Sequence, residues 1–248
     1  MSYICFSNVS KSFNKIPVIK SACFTIEKGE ICGFLGRNGS GKTVVFKLMT
    51  GLLIPDSGSI TFNGENYAKD SRFFESMGVM IETPGFIPHY SGLKNLKILN
   101  SMSASPADVR EIKGLMTRLG LDPKNHRPVR TYSLGMRQKL GIIQAVMNMP
   151  DLLVLDEPMN SLDAQSVSEI RKLFSELNQH GTTIILASHI SEDISSLCTR
   201  TFLMAFCMPS AQLFISSHLF DCDYIVAYIF RLCPTFCVFR CRVYLFFL

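Results

Sequence analysis

The sequence has no tryptophan, no CxxC pair and no basic stretch followed by an apolar run near its N-terminus. We therefore expect neither a site built on paired cysteines nor a secretory signal. Charged residues make up 18% of the 248 residues and the net charge is +5, an excess too small to predict nucleic-acid binding. The length and the 47% hydrophobic content suffice for a domain that buries its own core.

The segment 201–248 lacks glycine, lysine and glutamate, yet it holds five of the nine cysteines and nine of the nineteen phenylalanines. Three interpretations are open: a membrane anchor, a segment translated out of frame, and a genuine accessory segment. Polar residues within 201–220 argue against a lipid-facing span, and the abrupt change in composition favours the second interpretation. We predict a body over residues 1–200 and an atypical tail that is out of frame or poorly ordered. We expect a chain ending at Arg200 to be the more soluble one.

The body alternates between strand and helix patterns. Short apolar runs at Ile31–Leu35, Leu152–Leu155 and Thr182–Ala187 are typical of strands buried on both faces. Residues 85–150 have apolar residues at helical spacing, and Ser133 is a predicted N-cap. These patterns predict an α/β fold with a mostly parallel sheet, an inserted helical subdomain and an antiparallel N-terminal β part.

A glycine-rich loop follows the first buried strand. Residues 36–43 read GRNGSGKT, which matches GxxxxGK[ST] between a strand and a helix, the context that a phosphate-binding loop (P-loop) requires. Glycines let the backbone wrap a phosphate, the helix N-terminus attracts anions, and Lys42 can reach the β- and γ-phosphates. The predicted nucleotide-binding residues of this P-loop NTPase are Gly36, Arg37, Asn38, Gly39, Ser40, Gly41, Lys42, Thr43 and Val44.

Two carboxylates end the apolar run that begins at Leu152. Asp156 and Glu157 lie at the carboxyl edge of a predicted parallel strand, where ligands gather in open α/β sheets. Asp156 can hold Mg²⁺ opposite the Thr43 hydroxyl, and Glu157 can polarise a water for attack on the γ-phosphate. The Asn/Thr-Lys-x-Asp run that would read guanine is absent, which disfavours a GTPase.

A third motif is more specific. The segment YSLGMRQ at 132–138 resembles the signature motif of ABC-type ATPases, whose usual form is LSGGQ. Ser133 and Gly135 match its serine and second glycine, whereas positions 132, 134 and 136 differ. The SLGM variant and the FLGRNG run at 34–39 resemble the bacitracin and lantibiotic branch of ABC exporters. The resemblance implies an ABC-type ATP-binding domain over residues 1–200, with Ser133 and Gly135 as a second phosphate contact.

Four further residues take roles from this resemblance. Asp163 resembles the aspartate of the family's D-loop, and His189 resembles its switch histidine, which hydrogen-bonds the γ-phosphate. Phe13 lies where the family keeps an aromatic that stacks on adenine, although in isolation it would be read as a core residue. Glu82 replaces the usual glutamine, as in the peptide-antibiotic branch, and a carboxylate is a competent Mg²⁺ ligand. The implied catalytic residues are Lys42, Glu157 and His189, and the implied metal ligands are Thr43, Glu82 and Asp156.

The resemblance implies a subunit that binds and hydrolyses ATP with Mg²⁺ and powers a separate membrane permease. The cargo would be a peptide antibiotic or a similar amphipathic compound, and the location the cytoplasmic face of the plasma membrane. A second ATP-binding subunit is implied as the partner in a head-to-tail dimer, and no nucleic acid is expected. Two alternatives stay open: a soluble ABC-type ATPase acting on ribosomes or DNA, and a non-functional truncated fragment.

Overall fold

The computed structural model describes residues 2–66, 76–82, 85–207, 211–217 and 244–245, which form two sheets and six α-helices. The strands are β1 (Ser2–Phe13), β2 (Ile16–Glu27), β3 (Ile31–Leu35), β4 (Ser57–Phe62), β5 (Glu65–Asn66), β6 (Met77–Met80), β7 (Leu152–Asp156), β8 (Thr183–Ser188), β9 (Arg200–Cys207), β10 (Ala211–Ser217) and β11 (Tyr244–Leu245). The helices are α1 (Lys42–Met49), α2 (Gly92–Asn100), α3 (Val109–Arg118), α4 (Leu134–Val146), α5 (Ala164–Gln179) and α6 (Ser191–Ser195).

The larger sheet has the strand order β11-β10-β9-β3-β8-β7-β6. The five strands from β9 to β6 pair in parallel, and β10 and β11 add antiparallel pairs at one edge. Every residue of β3, β7 and β8 is buried, as expected for strands covered on both faces. The predicted mostly parallel sheet is confirmed.

Alternate side chains of the central strands enter two different cores. Cys32 and Phe34 of β3 join a core with α1 and the smaller sheet, whereas Ile31 and Leu35 join a core with the helices α3 to α5. This alternation follows from the period of two along a strand. Phe34 stacks on Phe202 of β9 with 4.8 Å between ring centroids.

The smaller sheet is antiparallel, with the order β2-β1-β4-β5, and confirms the predicted antiparallel N-terminal part. Three helices, α2 to α4, occupy the predicted helical interval 85–150. Ser133 is the N-cap of α4, as predicted, because its hydroxyl oxygen accepts a hydrogen bond from the Met136 amide at 3.1 Å.

The prediction of a poorly ordered tail after Arg200 is wrong as far as β9 is concerned. β9 pairs in parallel with β3, and the Phe202, Leu203 and Met204 side chains are buried. The boundary at residue 200 therefore lies within a core strand. An apolar run shielded on both faces needs neither glycine nor charge, so the composition of 201–207 suits a strand in the sheet. Apart from β10 and β11, the rest of the tail lies outside the described residues, and its out-of-frame origin stays a prediction.

Candidate nucleotide-binding and catalytic site

The P-loop connects β3 to α1. Glycine is required at three of its positions for two different structural reasons. Gly39 and Gly41 have φ values of 83° and 95°, a left-handed conformation that glycine adopts without a Cβ clash. Gly36 instead lies against the last parallel strand, because a Cβ there would lie 2.5 Å from the Met204 carbonyl oxygen. β9 thus supports the start of the P-loop. Arg37 and Asn38 are exposed at its rim, and Ser40 is buried.

Lys42 is buried at the N-terminus of α1, and its ammonium group is held by the loop itself. The Nζ atom donates to the Gly36 carbonyl oxygen at 2.5 Å and to that of Arg37 at 3.2 Å. It also lies 3.5 Å from Glu157 Oε1. A buried cation needs such partners. A phosphate oxygen is a stronger acceptor of the same kind, so the lysine is placed to exchange carbonyls for a nucleotide.

Thr43 and Asp156 meet across the gap between α1 and β7. The Thr43 hydroxyl donates to Asp156 Oδ2 at 2.6 Å. Burial raises the pKa of Asp156, and the Thr43 hydrogen bond partly offsets that rise. A hydroxyl and a buried carboxylate are oxygen donors of the type that Mg²⁺ prefers. These two residues fit the predicted metal site.

Glu157 and His189 form the second half of the site. His189 Nδ1 lies 2.9 Å from Glu157 Oε2, and the histidine side chain is partly exposed. The Glu157 amide donates to the Ala187 carbonyl oxygen at 3.0 Å, which ties the end of β7 to β8. The structure thus brings together Lys42, Glu157 and His189, the three residues predicted to be catalytic.

Glu82, at the end of β6, turns towards α1. Its carboxylate pairs with Lys47 Nζ at 2.5 Å, one helical turn beyond Thr43. Its negative charge also contributes to the raised pKa of Asp156, although it is the smallest of the causes. Glu82 therefore borders the Thr43–Asp156 pair. Lys47 was not predicted as part of this site, although its position four residues after Thr43 on α1 gave a signal.

The signature residues lie at the exposed N-terminus of α4. The Ser133 side chain is exposed and Leu134 is 51% exposed. The Ser133 carbonyl and hydroxyl oxygens accept from amides of the same helix. A helix N-terminus with an exposed serine is a suitable anion site.

Two predicted residues have structural surroundings of their own. Asp163 is the N-cap of α5, where its carboxylate accepts hydrogen bonds from the Ser166 amide and hydroxyl, and these bonds lower its pKa. Phe13 ends β1 with its ring 41% exposed and the Lys11 ammonium 5.8 Å from the ring centroid. The reading of Phe13 as a core residue therefore does not hold.

Within the described part of the chain, no group of three or more His, Cys, Asp or Glu side chains could hold a metal unaided. Mg²⁺ at Thr43 and Asp156 would thus need phosphate oxygens and water as further ligands, which is its usual mode of binding. Among the described helices, none combines the length and the apolar character needed to span a bilayer.

A family model described as "ABC transporter" matches residues 19–160, which include the P-loop, the signature segment and the carboxylates at the carboxyl end of β7. The chain belongs to the ABC transporter family. It carries an ABC-type ATP-binding domain, and the α/β fold, the P-loop and the signature segment expected from the sequence agree with that membership.

Three bacterial ABC transporter ATP-binding proteins are similar to this chain in sequence. An uncharacterized ABC transporter ATP-binding protein, YybJ of Bacillus subtilis, is 41% identical over 77% of this chain and 87% of its own length. The bacitracin transport ATP-binding protein BcrA of Enterococcus faecalis is 38% identical over 77% of this chain and 62% of its own length. The lantibiotic transport ATP-binding protein SrtF of Streptococcus pyogenes is 35% identical over 77% and 81%. The chain therefore spans less than two thirds of BcrA.

A solved structure has the same fold. The dimeric structure of MJ0796, a bacterial ABC transporter cassette, superimposes with a TM-score of 0.73 at 20% identity, over 81% of this chain and 93% of that one. At this level of identity the likeness concerns the fold alone.

Proposed function

We propose that this ABC-type ATPase is the motor subunit of an exporter for a peptide antibiotic or a similar amphipathic compound, and that it acts on a separate membrane permease. The observation that carries the proposal is one cluster, in which Lys42 and His189 both contact Glu157 beside the Thr43–Asp156 pair. BcrA and SrtF, named for bacitracin and lantibiotic transport, support the cargo class.

ATP binding begins with an exchange of partners at Lys42. The β- and γ-phosphate oxygens take the place of the Gly36 and Arg37 carbonyls around the ammonium group. Asp156 and Thr43 would hold Mg²⁺, with Glu82 bordering the site, and the ion would supply charge neutralisation for the transferred phosphoryl group. Residues 37–44 make the remaining contacts to the phosphates. Phe13 offers an exposed side chain for the adenine.

Hydrolysis needs a group that activates water and a group that holds the γ-phosphate. Glu157 Oε2 lies 2.9 Å from His189 Nδ1, and both side chains follow neighbouring parallel strands at the same sheet edge. In this proposal the Glu157 carboxylate accepts the proton of the attacking water. The other ring nitrogen of the imidazole, Nε2, is left for the γ-phosphate, because His189 is partly exposed.

A head-to-tail dimer would complete two such sites. Ser133 and Gly135 are presented at the exposed N-terminus of α4, which is a favourable place for the γ-phosphate bound by a second copy. Asp163 lies at the N-terminus of α5, where it can contact that copy. The dimeric MJ0796 cassette, which shares the fold, supports this arrangement.

We place the subunit at the cytoplasmic face of the plasma membrane, bound to its permease. Residues 85–150 carry ten Lys and Arg against three Asp and Glu, whereas the whole chain has a net charge of only +5. Such a basic segment is favoured beside an anionic membrane surface. No nucleic-acid partner is proposed, since the net charge of +5 for the whole chain is too small to predict one.

The test is expression of the full chain together with a candidate permease, a multi-span membrane protein sought in the neighbouring reading frames, in a bacterium sensitive to bacitracin and to a lantibiotic. We expect raised resistance, ATP hydrolysis by the purified complex, and loss of both in Glu157→Gln. A complex that hydrolyses ATP without changing the resistance to either compound would reject the cargo class. Co-sedimentation of the chain with ribosomes instead of membranes would reject the transport function itself.

A further inference from the structure

The backbone of Glu157 has an unusual conformation. Its φ is 50°, in the left-handed region that costs a non-glycine residue about 1 kcal/mol or more. Ser161, four residues later, has φ 62° and is also left-handed. A conformation of this kind persists only where neighbouring groups fix it. The orientation of the Glu157 carboxylate therefore depends on the contacts that fix the backbone of residues 157–161.

Two hydrogen bonds hold the carbonyl group of Glu157. The Asn160 amide donates to this oxygen at 3.3 Å, within the same turn. Gln138 Nε2 donates to it at 2.8 Å from α4, across 19 residues of sequence. The glutamine bond is the shorter one and the one that comes from another element.

The N-terminus of α4 also lies directly against this turn. A Cβ on Gly135 would lie 2.9 Å from the Ser161 carbonyl oxygen and 3.7 Å from Leu162 Cδ2. Residue 135 must therefore be small if the helix is to approach. Gly135 provides the close approach and Gln138, one turn further along α4, provides the hydrogen bond.

We propose that Gln138 is a positioning residue that fixes the backbone of Glu157 and joins the signature helix to the catalytic carboxylate of the same chain. The inference rests on the proposed function, in which Glu157 is the general base. In the dimer, Ser133 and Glu157 of one chain serve different ATP molecules. The Gln138 bond would thus connect the two sites through α4. If the ATP at Ser133 shifts α4, the orientation of the Glu157 carboxylate towards the other ATP would change.

The experiment compares Gln138→Met with Gln144→Met in the full-length chain. Methionine keeps the length of the side chain and removes the donor, and Gln144 is a half-buried glutamine on the same helix. We expect Gln138→Met to lower kcat by about 3- to 10-fold, the effect of one lost hydrogen bond, with KM for ATP unchanged. Gln144→Met should hydrolyse ATP at the parental rate.

Two further variants separate positioning from general loss of structure. Gln138→Lys restores a donor and should recover at least part of kcat. In the Glu157→Gln background, adding Gln138→Met should change the residual rate by less than twofold, because the group that Gln138 positions is already disabled. An equal fall in both backgrounds, or an unchanged kcat in Gln138→Met, would overturn the inference. A parental chain that fails to hydrolyse ATP would instead reject the proposed function.

Discussion

The two faces of this ATPase that we propose to contact nucleotide are built in different ways. The P-loop face, formed by residues 36–43 with Asp156, Glu157 and His189, is closed on itself by short contacts such as the 2.6 Å bond from Thr43 to Asp156. The signature face, Ser133–Met136, is exposed, and the Ser133 oxygens accept only from amides of their own helix among the described contacts. The first face is organised before ATP binds, whereas the second offers its surface outward.

The difference indicates a division of labour. Preformed partners at the P-loop face reduce the ordering that binding would otherwise require, so a single chain can bind ATP. An exposed helix N-terminus contributes little until a phosphate is brought to it. Substitutions at the two faces should consequently separate binding from hydrolysis, and four experiments test this separation.

The largest effect should come from shortening the chain at Arg200. This change removes most of β9, with its three buried apolar side chains and the support beneath Gly36. Each side chain contributes about 1.5–3 kcal/mol, and a whole domain is stable by only about 5–15 kcal/mol. We expect Met1–Arg200 to lack a cooperative thermal transition by circular dichroism and to bind no ATP.

The matched control is Met1–Cys207, which keeps β9 and omits the later tail. It should melt cooperatively and bind ATP. These expectations, drawn from the pairing of β9 with β3, differ from the sequence-based expectation that Met1–Arg200 is the more soluble chain. If Met1–Arg200 binds ATP as tightly as the full chain, β9 is not a support of the P-loop face.

Glu157→Gln should lower ATP hydrolysis by about 10²–10⁴-fold, the usual range for loss of a general base. ATP binding should persist, because Lys42 and Thr43 remain in place, and an ATP-dependent dimer should accumulate. Phosphate release and size-exclusion chromatography with ATP measure the two effects. Hydrolysis at the parental rate would show that another group activates the water.

Lys42→Ala should weaken ATP binding by about 10- to 100-fold, because the nucleotide loses a charged hydrogen bond in a buried position. Calorimetric titration of the purified chain with Mg-ATP measures the affinity. Lys28→Ala, at the exposed turn before β3, is the control and should bind normally. Equal affinity in Lys42→Ala would refute the assignment of the P-loop face.

Ser133→Arg should have the smallest effect on the monomer, with an unchanged affinity for ATP. The added side chain should obstruct the approach of a second copy, so that hydrolysis falls by about 10-fold or more through the lost phosphate contact. Titration at low protein concentration and hydrolysis at high concentration separate the two outcomes. If both remain normal, the signature face plays no part in hydrolysis.

The P-loop and the carboxylates at the carboxyl end of β7 could be predicted because each is a contiguous segment in which residue type and strand context suffice. β9 was missed for a different reason. The run TFLMAF at 201–206 fits a buried parallel strand, yet it was judged together with the unusual composition that follows it.

Gln138 and the conformation of Glu157 could not have been found in this way. Gln138 was visible only as the last residue of the signature-like segment. Its partner is a backbone carbonyl 19 residues away. Every residue has such a carbonyl, so residue type does not identify the acceptor. Positive φ at a glutamate likewise has no sequence signal, since the surrounding contacts impose it.

The sequence positions of the strands that flank β3 have a consequence for folding during synthesis. Ile31 pairs with Ile184 and Cys32 with Arg200, so the strand that carries the P-loop meets both neighbours only after more than 150 further residues have been made. At about 5–20 residues per second, that delay is roughly 8 to 30 seconds. During this time the apolar strand β3 has no partner strands on the ribosome, and the ATP site is incomplete. The hazard of misfolding therefore falls in synthesis, before the nucleotide can help.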